Sequence, residues 1–148
     1  MTARSALLRL PAFVPFRLNR LASAVSEHLA AIYRDRFALD VPEWRVMATV
    51  GQERGCTAQF IAASTHMHKT RVSRAIAHLI RRGLIERDAS TLDRREMQLR
   101  LSGAGRRMYA QLVPLALARE QELLDCLSAS ERRAFLAALE RLESHLRL

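Results

Sequence analysis

One stretch near the middle of the chain combines basic and hydroxyl side chains in a way that suits contact with nucleic acid. Arginine can grip a guanine edge with two hydrogen bonds, and threonine or serine can bond a phosphate or touch a thymine methyl group. Such side chains alternate with apolar ones between His68 and Arg82, and a hairpin with a charged tip follows over residues 84–102. A basic helix beside a basic hairpin is typical of a winged-helix DNA-binding protein.

The periodicity of the apolar residues predicts which face of this helix is available to a partner. Val72, Ile76, Leu79 and Ile80 recur at i, i+4, i+7 and i+8, so we expect them to form one buried face. The remaining positions are then free to enter a groove. The candidate DNA contacts of this helix are His68, Lys69, Thr70, Arg71, Ser73, Arg74 and His78.

Charge is distributed unevenly along the 148 residues. The net charge of +9 comes from 24 Lys and Arg against 15 Asp and Glu. Between His66 and Arg107 there are eleven basic and four acidic residues, a local excess of +7 in fewer than a third of the positions. A concentrated basic segment favours a polyanionic partner, and double-stranded DNA before a membrane surface.

The elements that must position these side chains follow from helix signals and turn residues. The pattern predicts a mainly α fold, a winged helix-turn-helix with a two-stranded wing. Asp40, Thr57, Ser102 and Ser128 are placed to cap helices. The expected helices span about 16–37, 41 to either Gly51 or Gly55, 57–63, 68–82, 103–126 and 129–146, and the expected strands 84–87 and 97–101.

The ends of the chain have a different role from its middle. We expect one domain over 1–148, in which residues 40–102 form the winged-helix part. The helices in 10–38 and 103–148 are long and amphipathic. The winged-helix part, residues 40–102, is too small to bury all of their apolar faces. Packing against a second copy solves this, so the sequence predicts a homodimer built on those helices.

Further DNA contacts are expected outside the central helix. Thr57 and Gln59 can present a backbone amide and a side chain to a phosphate, although capping alone explains Thr57 equally well. Arg94 and Arg95, at the tip of the wing, suit a narrow minor groove. Asp93 is expected to position Arg95. The alternative for the wing is a solvated turn with an incidental ion pair.

The wing and the central helix also resemble a known family, the multiple-antibiotic-resistance regulators (MarR). The run from Asp93 to Gly105 resembles the family's wing signature, Lys69 to Arg74 and Leu79 to Arg87 its recognition helix and first wing strand, and Pro42 to Met47 its second helix. The resemblance implies a homodimeric regulator, usually a repressor, that a small ligand or an oxidant releases from a palindromic operator. It also implies that Arg95 contacts the minor groove, with Asp93 as its support.

The resemblance places an effector pocket between the first, second and fifth helices. Arg17 can hold a carboxylate and His28 can meet a polar group at the far end of the ligand, with room for a ring at Ala24. Arg20 points further toward solvent and suits the phosphates of a larger carrier. The expected effector is therefore an aromatic carboxylate or its thioester. Apolar walls can come from Trp44, Met47 and Met108. The alternative is a solvated helix face with ordinary core residues behind it.

The sequence leaves open other signals that could release the protein from DNA, and other classes of function. Cys56 precedes a helix start, which can lower a thiol pKa, so a redox-sensing repressor is one alternative, whereas Cys126 is expected to pack on a helix. His66, Met67 and His68 with Cys56 nearby match no compact zinc set, so we expect no metal and no cofactor. No nucleophile, base and acid converge, so we expect no enzyme. A non-specific architectural DNA-binding protein is the remaining alternative.

The compartment is inferred from what the sequence does not contain. Arg4 and Arg9 flank an apolar patch that is too short for a signal-peptide core. No apolar run approaches the length that spans a membrane. Two cysteines make no disulfide framework. The sequence therefore predicts a protein of the reducing cytoplasm.

Overall fold

The computed structural model describes residues 7–88 and 97–148 and shows a mainly helical chain with a two-stranded antiparallel sheet. A 3-10 turn at Leu10–Ala12 precedes the first helix. The helices are α1 (Val14–Phe37), α2 (Val41–Glu53), α3 (Ala58–Thr65), α4 (Lys69–Arg81), α5 (Gly103–Leu124) and α6 (Ala129–Leu146), and the strands are β1 (Ile85–Arg87) and β2 (Leu99–Leu101). The mainly α winged-helix architecture that the sequence predicts is confirmed.

The helix starts follow the capping signals of the sequence. The Asp40 carboxylate accepts from the Glu43 amide at 2.8 Å, and the Glu43 carboxylate accepts from the Asp40 amide at 2.9 Å, so the predicted cap at Asp40 is confirmed and forms a capping box with Glu43. Thr57 caps α3 by accepting from the Phe60 amide at 3.1 Å. Each cap satisfies amides that the first turn of a helix leaves without partners.

The core of the first compact unit, which ends at Ala110, lies between α2, α3, α4 and the sheet. Val72, Ile76 and Leu79 are buried as their spacing predicts, and Ala75 is buried with them. Ile80 is only partly buried, although we expected it on the buried face. It lies at the edge of the stripe, where a helix turns its surface toward solvent.

The two strands pair in the register Ile85 with Leu101 and Arg87 with Leu99. Both are shorter than predicted. The Leu84 amide bonds the Leu79 carbonyl at 2.9 Å, so it closes the end of α4 and does not join the ladder. Cys56 forms an antiparallel bridge with Leu99, which attaches the segment before α3 to the sheet.

The start of α5 is held tightly against the end of α4 and the sheet. Ser102 donates to the Gly83 carbonyl and accepts from the Gly105 amide at 2.9 Å, so it caps α5 as predicted. A Cβ atom at Gly105 would lie 2.0 Å from the Leu84 carbonyl oxygen. The absence of a side chain at Gly105 is therefore what permits this approach of helix to backbone.

The second compact unit begins at Gln111 and contains the rest of α5 and all of α6. Pro114 lies inside α5, which continues to Leu124. Cys126 lies beyond that end and is exposed, so the prediction that it packs on a helix is wrong. None of the helices in the described residues combines the length and apolar character needed to span a lipid bilayer.

Candidate nucleic-acid interface and effector groove

The outer face of α4 presents the basic and hydroxyl side chains that the sequence indicates. Lys69, Thr70, Arg71, Ser73 and Arg74 are all exposed. They are exposed because the opposite face is anchored in the core described above. The arrangement leaves two kinds of donor, guanidinium and hydroxyl, on one accessible helix surface, as base and phosphate contacts require.

The turn before α4 is shaped by two histidines. His66 adopts a left-handed conformation (φ 53°) and ends α3. The ring of His68 caps α4 by accepting from the Thr70 amide through Nδ1 at 3.2 Å. Capping therefore occupies one ring nitrogen of His68, and the role of His68 in contacting DNA stays a prediction.

His78 has a partner within the chain that the sequence did not indicate. Its Nδ1 contacts Oε1 of Glu43. The Glu43 side chain is only 7% exposed, whereas that of His78 is 44% exposed. A buried carboxylate needs such a partner, because leaving it unpaired is costly. The missed residue is thus Glu43, which reaches from the cap of α2 to α4.

A groove of about 700 Å³ runs beside α4 between α3 and the strand β2. Val72, Ile76 and Leu99 contribute apolar side chains to its lining. Its polar lining includes Gln59, Lys69, Ser73 and Arg87. Arg87 lies in the basic segment of the sequence but was not among the predicted DNA contacts.

The tip of the wing, residues 89–96, lies outside the described residues, so Asp93, Arg94 and Arg95 keep their roles as predictions. The adjoining strands are described. Arg100 on β2 forms an ion pair with Asp88 at 3.2 Å. Such a partly exposed pair contributes little to stability.

The candidate effector residues separate into two groups. Arg17, Arg20 and Ala24 line one groove of about 760 Å³ along α1, next to the 3-10 turn. Arg17 is exposed in the single chain, although an arginine that holds a buried carboxylate would be partly covered. The reason is that the first buried residue of α1 is Ala30, so little of the first compact unit covers the helix before it.

The other candidates lie away from the start of α1. His28 is exposed further along α1, and Met108 is half-buried on α5. Trp44 stacks on Tyr33 with ring centroids 4.8 Å apart, and Met47 has no exposed surface. Trp44 and Met47 therefore serve the packing of α1 on α2 and the core, and their contribution to a ligand pocket stays a prediction.

Cys56 does not have the properties of a peroxide-sensing thiol. It is buried, and burial together with the nearby Glu53 raises the pKa of the thiol to about 11. The expectation that the following helix start lowers this pKa is wrong. Desolvation of the thiolate outweighs any effect of the helix dipole here.

A metal site has no support among the described residues. Within 7–88 and 97–148, no three His, Cys, Asp or Glu side chains are grouped so that they can hold a metal ion. His66 and His68 serve the turn and the cap described above.

Comparison with known proteins identifies relatives of this fold. Residues 39–96 match the model of the MarR family. The chain is 22% identical to the transcriptional regulator HosA of Escherichia coli O127:H6 over 124 residues, which cover 84% of this chain and 92% of HosA. It is 27% identical to a solved MarR family transcriptional regulator from Silicibacter pomeroyi DSS-3, with 92% and 98% of the two chains covered and a TM-score of 0.76.

A second solved structure is that of a protein whose DNA binding responds to a small molecule. BpsR of Bordetella bronchiseptica, whose DNA binding is regulated by 6-hydroxynicotinic acid, superposes with a TM-score of 0.81. The alignment covers 94% of this chain and 99% of BpsR at 19% identity. At that identity the likeness shows the fold alone.

Proposed function

We propose that the chain is a DNA-binding transcriptional regulator of the MarR family, whose model matches residues 39–96, and that it is a homodimeric repressor of a palindromic operator. A small aromatic acid, or its thioester, releases it from the DNA. Cys56 takes no part in that release, because its thiol is buried and its pKa is raised. Members of this family act as regulators and not as enzymes.

The proposal rests mainly on the exposed face of α4, which combines arginine side chains with the hydroxyl groups of threonine and serine. Arg71 and Arg74 can read base edges, while Thr70 and Ser73 serve phosphates and methyl groups. A purely electrostatic DNA-binding protein needs only the cations. Hydroxyl groups among the arginines favour sequence-specific binding over the architectural alternative.

The homodimer is supported by apolar surface at both ends of the chain. Leu18 and Leu21 on α1 are 44% and 51% exposed, and Leu136 and Leu142 on α6 are 49% and 47% exposed. No residue of α6 is buried in the single chain. Exposed apolar surface of this kind marks interfaces, and a second copy supplies the matching surface.

The effector class is supported by the chemistry of the α1 groove. Arg17 offers a fork that matches a carboxylate, Ala24 leaves room for a ring, and Arg20 lies above the Phe16 ring at 5.7 Å. The fold relative BpsR responds to an aromatic acid. A carboxylate here releases DNA by binding more tightly to a dimer whose α4 helices are wrongly spaced for two grooves.

The first test is selection of an operator from random duplexes, followed by competition with scrambled DNA. We expect a specific duplex to outcompete the scrambled one by a factor of about a thousand or more. A ratio near one with strong salt dependence would support the architectural protein instead.

The second test measures effector binding by calorimetry against benzoates, cinnamates and their thioesters. Arg17→Ala should blunt release from the operator and leave DNA affinity unchanged, and Arg20→Ala should weaken a thioester more than the free acid. Arg36→Ala is the matched control, because Arg36 is an exposed arginine at the other end of α1. A full response in the Arg17 variant removes Arg17 as the anchor. Release by peroxide that depends on Cys56 restores the redox alternative.

A further inference from the structure

Two side chains near the end of α4 reach away from its exposed face to the corner between α1 and α2. The Arg82 guanidinium donates to the carbonyls of Phe37 and Ala38, each at 2.8 Å. One turn earlier, His78 contacts the Glu43 carboxylate. We call these contacts together the corner clamp. It joins residues that lie 35 to 45 positions apart in the chain.

The Arg82 contact has the geometry of a helix cap supplied from another helix. The last carbonyls of a helix lack partners within it, and the negative end of the helix dipole attracts a cation. With one planar fork, Arg82 bonds the carbonyl oxygen of Phe37, the last residue of α1, and that of Ala38, its C-cap. Lysine offers a point charge on a flexible stem and cannot hold both oxygens in this way.

The Glu43 contact ties the other side of the corner. One carboxylate oxygen accepts from the Asp40 amide at 2.9 Å and so belongs to the cap of α2. The second oxygen contacts His78 on α4. Since the Glu43 side chain is almost fully buried, its position is determined by these two partners. The beginning of α2 and the last turn of α4 therefore share a carboxylate.

The position of the clamp gives it a consequence for regulation. α1 carries the groove of Arg17 and Ala24 in its first half and the clamped carbonyls at its end. A continuous helix transmits displacement along its axis, because each turn is bonded to the next. α4 carries the exposed basic face at its start and the clamp at its end.

We propose that Arg82 is a positioning residue that couples α1 to α4, so that occupation of the α4 face and the order of the α1–α2 corner depend on one another. The proposal rests on the proposed function, because it requires that DNA binds α4. His78 and Glu43 provide the second point of attachment, which prevents α4 from rotating about Arg82.

The first arm of the test uses the free protein and amide hydrogen exchange over residues 37–43 and 78–84. Arg82→Lys keeps the charge and loses the fork. It should speed exchange about tenfold in both segments, as expected for loss of a charge-assisted bond. Arg36→Gln, which removes an exposed cation from the last turn of α1, should change neither segment by more than about twofold. Faster exchange confined to one segment, or in neither, overturns the clamp.

The second arm adds a random-sequence duplex of about 24 base pairs at low salt to the parent protein and to the Arg82→Lys variant. In the parent, DNA should slow exchange at residues 69–74 and also at 37–43. In the variant, protection should remain at 69–74 and be lost at 37–43. Protection in the parent that stops at α4, or equal protection of the corner in both proteins, overturns the coupling. Absence of protection at 69–74 overturns the proposed function, and the first arm still decides the clamp.

Discussion

Ala38 ends α1 in a conformation that its side chain disfavours. Its φ of 50° lies in the left-handed region, where a Cβ atom costs about 1–2 kcal/mol. The cost is tolerated because the buried Leu39 and the fork of Arg82 hold the corner. Ala38→Gly should therefore raise the free energy of unfolding by about 0.5–1 kcal/mol, measured by urea denaturation.

The control for that prediction is a substitution of the same kind in the same helix. Ala31 is exposed in the interior of α1, where glycine is unfavourable. Ala31→Gly should lower the free energy of unfolding by about 0.5–1 kcal/mol. If both substitutions destabilise equally, the strain assigned to Ala38 is absent.

Gly105 is required because of steric crowding and not because of its backbone conformation. Its φ is one that other residues adopt, but there is no room beside it for a side chain. The Leu84 carbonyl occupies the place of a Cβ atom. Gly105→Ala should destabilise the protein by about 1–3 kcal/mol, because backbone has to move. Gly103→Ala in the same helix turn meets only the ends of two arginine side chains, the nearest at 3.5 Å, and should be close to neutral in the same denaturation series.

The two cysteines should differ sharply in reactivity. A thiol whose pKa is about 11 is ionised in only about one molecule in 3,000 at pH 7.5, and the burial of Cys56 also blocks access. Iodoacetamide should therefore modify the exposed Cys126 first. Mass spectrometry of the digested protein measures the order. Modification of Cys56 at a similar rate would contradict its burial.

At the scale of elements, α4 and the wing should contribute to DNA binding in different ways. Arg71→Ala should cost about 1–3 kcal/mol and relax the preference at one base position, because arginine reads base edges. Arg95→Ala should lower the slope of affinity against salt with a smaller loss of preference, as minor-groove and phosphate contacts do. Fluorescence anisotropy across a salt titration measures both. An Arg95 variant that titrates like the parent contradicts the assignment of the wing.

The corner clamp also belongs to the scale of elements. α4 has an apolar face in the core, an exposed basic face, and two polar attachments at its end. Different residues form the apolar face, the basic face and the polar attachments, so each of the three can be substituted separately. Substitution of Arg71 tests the exposed face, and substitution of Arg82 tests the attachment.

At the scale of the whole molecule, the exposed apolar faces at the two ends predict the behaviour of a shortened chain. Deleting residues 131–148 removes Phe135, Leu136, Leu142 and Leu146, which are 36% to 64% exposed in the single chain. The truncated protein should be monomeric or aggregated and should not bind the operator tightly. Light scattering with a shift assay measures this, and a soluble variant with native affinity would contradict the dimer.

The distance between the two half-sites of the operator provides a control for the dimer prediction. Two-fold symmetry implies half-sites about 10 base pairs apart, centre to centre. Inserting about five base pairs turns one half-site to the opposite side of the duplex. Tight binding by the full-length protein should then be lost, and an unchanged affinity would argue against a rigid dimer.

Local chemistry was enough to predict the elements and the exposed face of α4. The capping box of Asp40 and Glu43, the cap at Ser102 and the spacing of Val72, Ile76 and Leu79 all act within a few residues. Their geometry follows from helix periodicity and the needs of the first turn. The helix-turn-helix and the two strands were therefore predictable, with boundaries in error by one or two residues where the end of α4 or the sheet altered them.

The tertiary structure alone decided the contacts that join distant parts of the chain. Glu43 reaches His78, Arg82 reaches Phe37, and Cys56 lies buried beside Leu99, although the helix start after Cys56 indicated a lowered thiol pKa. Packing determines these pairings for two reasons. Burial changes the free energy of each ionised side chain, and the packing of the helices determines which carbonyls and carboxylates lie within hydrogen-bond distance. The sequence by itself thus determined the class of fold and the exposed basic face of α4, and the packing determined how that face is held.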